Sequence, residues 1–107
     1  IEVNGPGGPI ARNLMIRGRN VYPFETTGKS KPEALNFYRS DIAHGVVTLL
    51  ADDYQKSEHI AYQMRTTKIG TVKYDAPHGG HDDMVMANAI ANHGLNRAVT
   101  PQVMAWL

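Results

Sequence analysis

The sequence predicts an α/β domain with helices packed on a sheet. Two patterns carry that prediction: strand-like and helix-like segments alternate along the chain, and Gly, Pro, Ser and Asp stand where each would start or stop. A third observation is size, since 107 residues suffice for one core and are short for two. Residues 1–107 are therefore expected to form a single domain, with 96–107 as a tail.

Ile1-Glu2-Val3-Asn4-Gly5 reads as the end of a strand entering a turn with no strand body before it, so a piece of a longer protein is expected. Pro9 suits a first helical position and Gly18 a C-terminal stop, which predicts a helix over 9–17. Ile10 with Leu14, and Ala11 with Met15, give it one apolar side. Residues 20–26 hold Val21, Tyr22 and Phe24 between turn formers, a strand in which Pro23 removes a ladder donor and argues for an edge or a bulge. Ser30, Pro32 and Glu33 combine into a reciprocal cap, Leu35, Tyr38 and Ile42 follow at helical spacing, and His44-Gly45 closes that helix. Val46-Val47-Thr48-Leu49-Leu50 is β-branched and apolar, a short strand. Asp52 or Asp53 can cap a helix to about Arg65 with Ile60 and Met64 inward. Residues 69–75 alternate as a strand does, and Pro77-His78-Gly79-Gly80 is a loop. A last clear helix is predicted over 82–93, stopped by Gly94, and the end of the chain reads as a helix start cut short.

Composition excludes several classes of function. Eleven Lys+Arg against ten Asp+Glu leave a formal charge of +1, so any nucleic-acid contact must come from local patches. Absence of cysteine excludes disulfides and thiolate metal sites. No apolar run approaches the roughly 18 residues that span a bilayer, and no charged-then-apolar leader opens the chain. No membrane partner is expected, and the default reading is a soluble, intracellular protein.

Chemistry concentrates where Gly79 and Gly80 deliver His81, Asp82 and Asp83 onto the start of an alanine-rich helix. Adjacent carboxylates repel, so they need a cation or a solvated cap to justify them. An isolated Asp-Asp at a helix start is ordinarily an N-cap and its solvated neighbour. Here the glycines allow close approach, His81 adds a potential ligand, and Ala87, Ala89 and Ala91 let the helix press tightly on what lies beneath. Glu2, at a strand end before a Gly/Pro loop, lies where open α/β sheets place ligands, although alone it reads as a solvated strand end. Together Glu2, Asp82 and Asp83 suggest an oxygen-ligand site for Mg²⁺ or Mn²⁺. Two such ions roughly 4 Å apart activate water in phosphodiester hydrolysis. His78 and His81 could instead bind zinc with an Asp, on a spacing too short to be strong. His44, His59 and His93 read as caps or surface residues, and Met64, Met84, Met86 and Tyr38 as core. Arg12, Arg17, Arg19, Lys29, Lys31 and Arg39 form either a solvated face or a cradle for phosphates. Gly5-Pro6-Gly7-Gly8 lacks the lysine and hydroxyl of a phosphate-binding loop.

Glu2-Val3-Asn4-Gly5-Pro6-Gly7 with its following helix, then 31–45, Val46-Val47-Thr48-Leu49-Leu50 and the run from Gly80 to Ala89 resemble the C-terminal nuclease domain of tailed-phage or prophage terminase large subunits. The order and spacing match over about residues 1 to 95. The resemblance implies an RNase H-like fold, a mixed sheet flanked by helices and incomplete at its N-terminal end. It also implies a two-metal endonuclease that cuts concatemeric viral double-stranded DNA during packaging in the host cytoplasm. Partners would be that DNA and, in the full-length protein, an ATPase motor domain, the portal and the small terminase subunit. Of the family's three acidic positions, Glu2 matches the second and Asp82/Asp83 the third, and nothing matches the first. His81 would orient a ligand or water, and Arg12, Arg17, Arg19, Lys29 and Lys31 would hold the DNA backbone. A site short of one bridging carboxylate should leave this chain alone nearly inactive. Rivals are a transposase or resolvase of the same superfamily, a non-catalytic DNA- or protein-binding module, and a zinc-stabilised interaction domain.

Overall fold

The computed structural model describes the backbone of residues 1–66, 72–75 and 81–97, and the side chains of 1–62 and 81–96. Four helices dominate it: α1 (Gly7–Ile16), α2 (Ser30–Ala43), α3 (Asp53–Ala61) and α4 (Asp83–Arg97). Between the last two, β1 (Gln63–Thr66) and β2 (Val72–Asp75) pair antiparallel, Gln63 opposite Asp75, and among the described residues only with each other.

This overturns the α/β reading and the RNase H-like mixed sheet expected with it. Among the described residues, extended chain outside that pair meets only at one parallel bridge, Glu2 with Phe24. There Val3 N–H donates to Phe24 O and Phe24 N–H to Ile1 O, both at 2.8 Å. One step further a side chain replaces the backbone: Asn4 Nδ2 donates to Thr26 O at 3.0 Å and Asn4 Oδ1 accepts Thr26 N–H at 2.8 Å. One step back the Ile1 amino group donates to Tyr22 O at 2.9 Å, so the strand expected over 20–26 reduces to one bridge with a single bond on its near side. Residues 46–50, also expected as a strand, form no ladder, and Leu50 is 85% exposed.

Helix termini explain the rest. Gly18 (φ 75°) and Gly45 (φ 71°) end α1 and α2 as expected. In each, two amides past the end bond back to helix carbonyls: Arg19 N–H to Leu14 O and Val46 N–H to Asp41 O complete the six-residue closures. The reciprocal cap of α2 exists, but at Thr27 and Ser30 rather than Ser30 and Glu33. Thr27 N–H donates to Ser30 Oγ at 2.8 Å, and Ser30 N–H to Thr27 Oγ1 at 3.0 Å. Asp52 caps α3 by accepting Gln55 N–H at 2.8 Å. That helix ends at Ala61, not near Arg65, because Gln63–Thr66 pair with β2 instead. Ile60, expected inward, is 74% exposed, while Glu58 is buried. Met64 has no described side chain. α4 does not stop at Gly94. The glycine is buried in the helix, where a Cβ would lie 3.0 Å from the Tyr22 ring, so close packing explains it.

The core lies mainly between α2 and α4. Leu35 and Tyr38 meet Val85 and Ala89 in one cluster, and Phe24, Ala34 and Ile90 form another, with Met86 packed on both. Ala34 and Ala89 are completely buried, and their short side chains let the helices approach. Ile42 stays exposed, and on α1 Ala11 is buried while Ile10 points outward, so the apolar faces read from spacing are only partly the buried ones. His59 and His93 also depart from their surface reading. His59 Nε2 meets Tyr38 Oη at 2.7 Å, and His93 stacks near Tyr22 and Phe24 with Nδ1 buried and unpartnered among the described residues. His44, by contrast, is exposed and bonds back to Ser40 O, a cap as expected.

Candidate functional site

Glu2 is held from two sides. Its backbone lies in the bridge to Phe24, and the first turn of α1 presses on it so closely that a Cβ at Gly7 would collide with Glu2 O. Its carboxylate accepts a hydrogen bond from Thr26 Oγ1 at 2.5 Å, a contact that aims Oε1.

Asp82 and Asp83 open α4. Asp82 occupies the cap position by its main chain, since Met86 N–H donates to Asp82 O at 2.9 Å. Its carboxylate faces elsewhere: Asp82 Oδ2 lies 3.5 Å from Lys31 Nζ, on the first turn of α2. Both side chains keep about a quarter to a third of their surface in solvent, 29% for Lys31 and 28% for Asp82, so this pair contributes little stability by itself. Side-chain capping of α4 falls to Glu58 in α3, whose Oε1 accepts Met84 N–H at 2.6 Å and Val85 N–H at 2.9 Å.

These groups converge on one cavity of about 620 Å³. Glu2, Thr26, Lys31, Asp82 and Asp83 supply its polar wall, and Met86, Ala87, Ile90 and Ala91 its apolar side. Three carboxylates from the two ends of the described chain thus share a wall, with one ammonium beside them. His81 is exposed and does not line it. Arg12, Arg17, Arg19 and Lys29 are exposed away from it. None of those four has an ion-pair partner among the described residues, where Lys31 and Asp82 form the only pair. His78 lies outside the described residues. Sequence reasoning missed Thr26 and Glu58. A threonine two residues past a bridge and an acid inside an amphipathic helix carry no pattern that announces either contact.

Oxygen donors of this kind suit a hard divalent cation. As they stand, Glu2, Asp82 and Asp83 line the cavity without closing on one point, because no group of three His, Cys, Asp or Glu among the described residues is close enough to hold one metal ion.

A second cavity, of about 390 Å³, lies between α2 and α3 and is lined by Leu35, Tyr38, Arg39, Ile42, His59 and Tyr62, with Val85. Gln55 O accepts from His59 Nδ1 at 2.8 Å, so in the neutral ring Nε2 accepts from Tyr38. Burial pushes the Tyr38 hydroxyl above its ordinary pKa of 10.0, against a smaller downward pull from Asn88.

Among solved structures, the fold resembles a phage nuclease domain. That structure is the Thermus phage P74-26 large terminase nuclease domain, with a TM-score of 0.70 and 25% sequence identity over 78% of this chain. The match covers 45% of that domain, so this chain spans less than half its length. No family model matches the sequence, and no curated protein matches it. No helix among the described residues is long and apolar enough to cross a membrane.

Proposed function

We propose that this chain is part of a terminase nuclease that cuts concatemeric viral double-stranded DNA during genome packaging, using Mg²⁺ or Mn²⁺. The observation that carries the reading is the meeting of Glu2 with Asp82 and Asp83 on one cavity wall, in a fold similar to a phage terminase nuclease domain. In this reading Glu2, Asp82 and Asp83 hold the metal. Bound metal supplies an activated water and neutralises charge on the departing oxygen. Thr26 keeps the Glu2 carboxylate aimed at the cavity, and Lys31 steadies Asp82 while offering positive charge to a phosphate. Arg12, Arg17, Arg19 and Lys29 contact backbone phosphates, and His81 orients a ligand or water at the rim. Partners follow from the same reading: viral DNA, an ATPase motor domain, the portal and the small terminase subunit.

Calorimetry of the chain with Mn²⁺ tests the site. Affinity is expected to fall about tenfold or more in Glu2→Ala and in Asp83→Ala, the scale on which metal-site groups act. Binding indifferent to both substitutions overturns the reading. Plasmid nicking by the chain alone is expected near background, because no residue matches the first acidic position of the family. Robust Mn²⁺-dependent nicking lost in Asp83→Ala would contradict that incompleteness. One observation favours a non-catalytic DNA- or protein-binding module instead, namely that no three His, Asp or Glu side chains among the described residues are close enough to hold one ion. Intact DNA binding with no Mn²⁺ binding would decide for it.

A further inference from the structure

Glu58 occupies a place that a charged side chain seldom does. It is 8% exposed, and a single oxygen, Oε1, serves two amides of another helix, those of Met84 and Val85. Its second oxygen, Oε2, is buried without a hydrogen-bond partner among the described residues. With Asp82 at the cap position of α4, Met84 and Val85 are the second and third helical residues. Those are the two amides an N-cap aspartate ordinarily takes for itself. Glu58 and the Asp82 side chain are therefore rivals for the same donors, and in this structure Glu58 has them.

We propose that Glu58 is a positioning residue for the acidic wall: by capping α4 from α3, it releases the Asp82 carboxylate from capping and leaves it facing Lys31 at the cavity that Glu2 also lines. The inference rests on the metal-site reading for its consequence, but not for its geometry. Without Glu58, Met84 and Val85 would present two orphan N–H groups. The side chain best placed to satisfy them is Asp82, one of the preferred N-cap types. Turning back to cap, Asp82 would leave the cavity while the helix survived. Loss of Glu58 would then cost the site more than it costs the fold.

Magnetic resonance and Mn²⁺ calorimetry on the full chain test this together. In Glu58→Ala the Asp82 carboxyl resonance is expected to move and Mn²⁺ affinity to drop about tenfold or more, as for other groups that orient metal ligands. Glu58→Gln, whose amide oxygen can still accept both N–H groups, should restore both toward the parent. An Asp82 resonance unmoved in Glu58→Ala, or a Gln variant as damaged as the Ala variant, overturns the proposal. Asp82→Ala in the parent background gives a check that needs no Glu58 variant to fold. Its melting temperature should be unchanged because Glu58 holds the cap, and a fall of roughly 4 to 8 °C, the effect of losing a true cap, would overturn the proposal. Failure of the parent to bind Mn²⁺ would sink the metal reading alone, since the Asp82 resonance still decides whether the cap changes hands.

Discussion

At the scale of single residues, Gly7 illustrates how a missing atom builds a site. The start of α1 rests on the carbonyl of Glu2, and the obstacle to a Cβ there is backbone, which cannot swing away as a side chain would. Gly7→Ala is therefore expected to destabilise the chain by about 1–3 kcal/mol or more, the range for overpacking. Gly28→Ala makes the contrast, because nothing lies within 4 Å of its added methyl. That change should be neutral, or stabilise by about 0.4–1 kcal/mol through the unfolded chain. Thermal melts of the two variants check the pair, and equal midpoints would contradict the close approach. Thr26 works on the same small scale by giving its proton to Glu2 Oε1. The sequence places the start of this helix at Pro9, yet α1 begins at Gly7. Sequence shows that glycine tolerates an unusual neighbour, not which neighbour has come close.

At the scale of elements, what decides helix boundaries is who supplies the terminal acceptors. Thr27 and Ser30 satisfy each other's amides at the start of α2. Thr27→Ala is expected to cost about 0.5–2 kcal/mol, as for other N-cap losses. Glu33→Ala should cost less, since Glu33 is exposed and is not the reciprocal partner. Urea titrations followed by circular dichroism would rank the two, and the reverse order would refute the assignment. Helix ends set by nearby residues were legible: Gly18, Gly45 and Asp52 act where spacing placed them. So was the acidic opening of α4. What stayed illegible depends on distant chain. Ile60 and Met64 fit an inward helical face, but pairing with β2 claims Gln63–Thr66. Gly94 fits a stop signal, but the ring of Tyr22 needs the space where its side chain would be.

At the scale of the whole molecule, alternation of segment types suggested a sheet, and packing between α2 and α4 carries the core instead. Extended segments formed no wide sheet because the Asn4 side chain takes over from the backbone at Thr26, and residues 46–50 meet no ladder partner among the described residues. Glu2, Asp82, Asp83 and Lys31, read from the sequence as site residues, line one cavity. The core also titrates. Tyr38 is held neutral by burial, so in the folded chain it ionises above the value of an unfolded tyrosine. Its contribution to stability is fully present below about pH 10 and declines as pH rises through the folded value. Tyr38 should titrate late by ultraviolet absorbance, and Tyr38→Phe should delete that late component. Loss of no component, or of an early one, would contradict the burial.

The cap on α4 has a consequence for the order in which the chain assembles. α2 closes its own ends with partners three to five residues away, so it can nucleate early and alone. The first turn of α4 borrows its acceptor across 26 residues, and is complete only once α3 has docked. The acidic wall and the finished fold are therefore expected to arrive in the same step, with little exposure of a half-built site to stray cations beforehand.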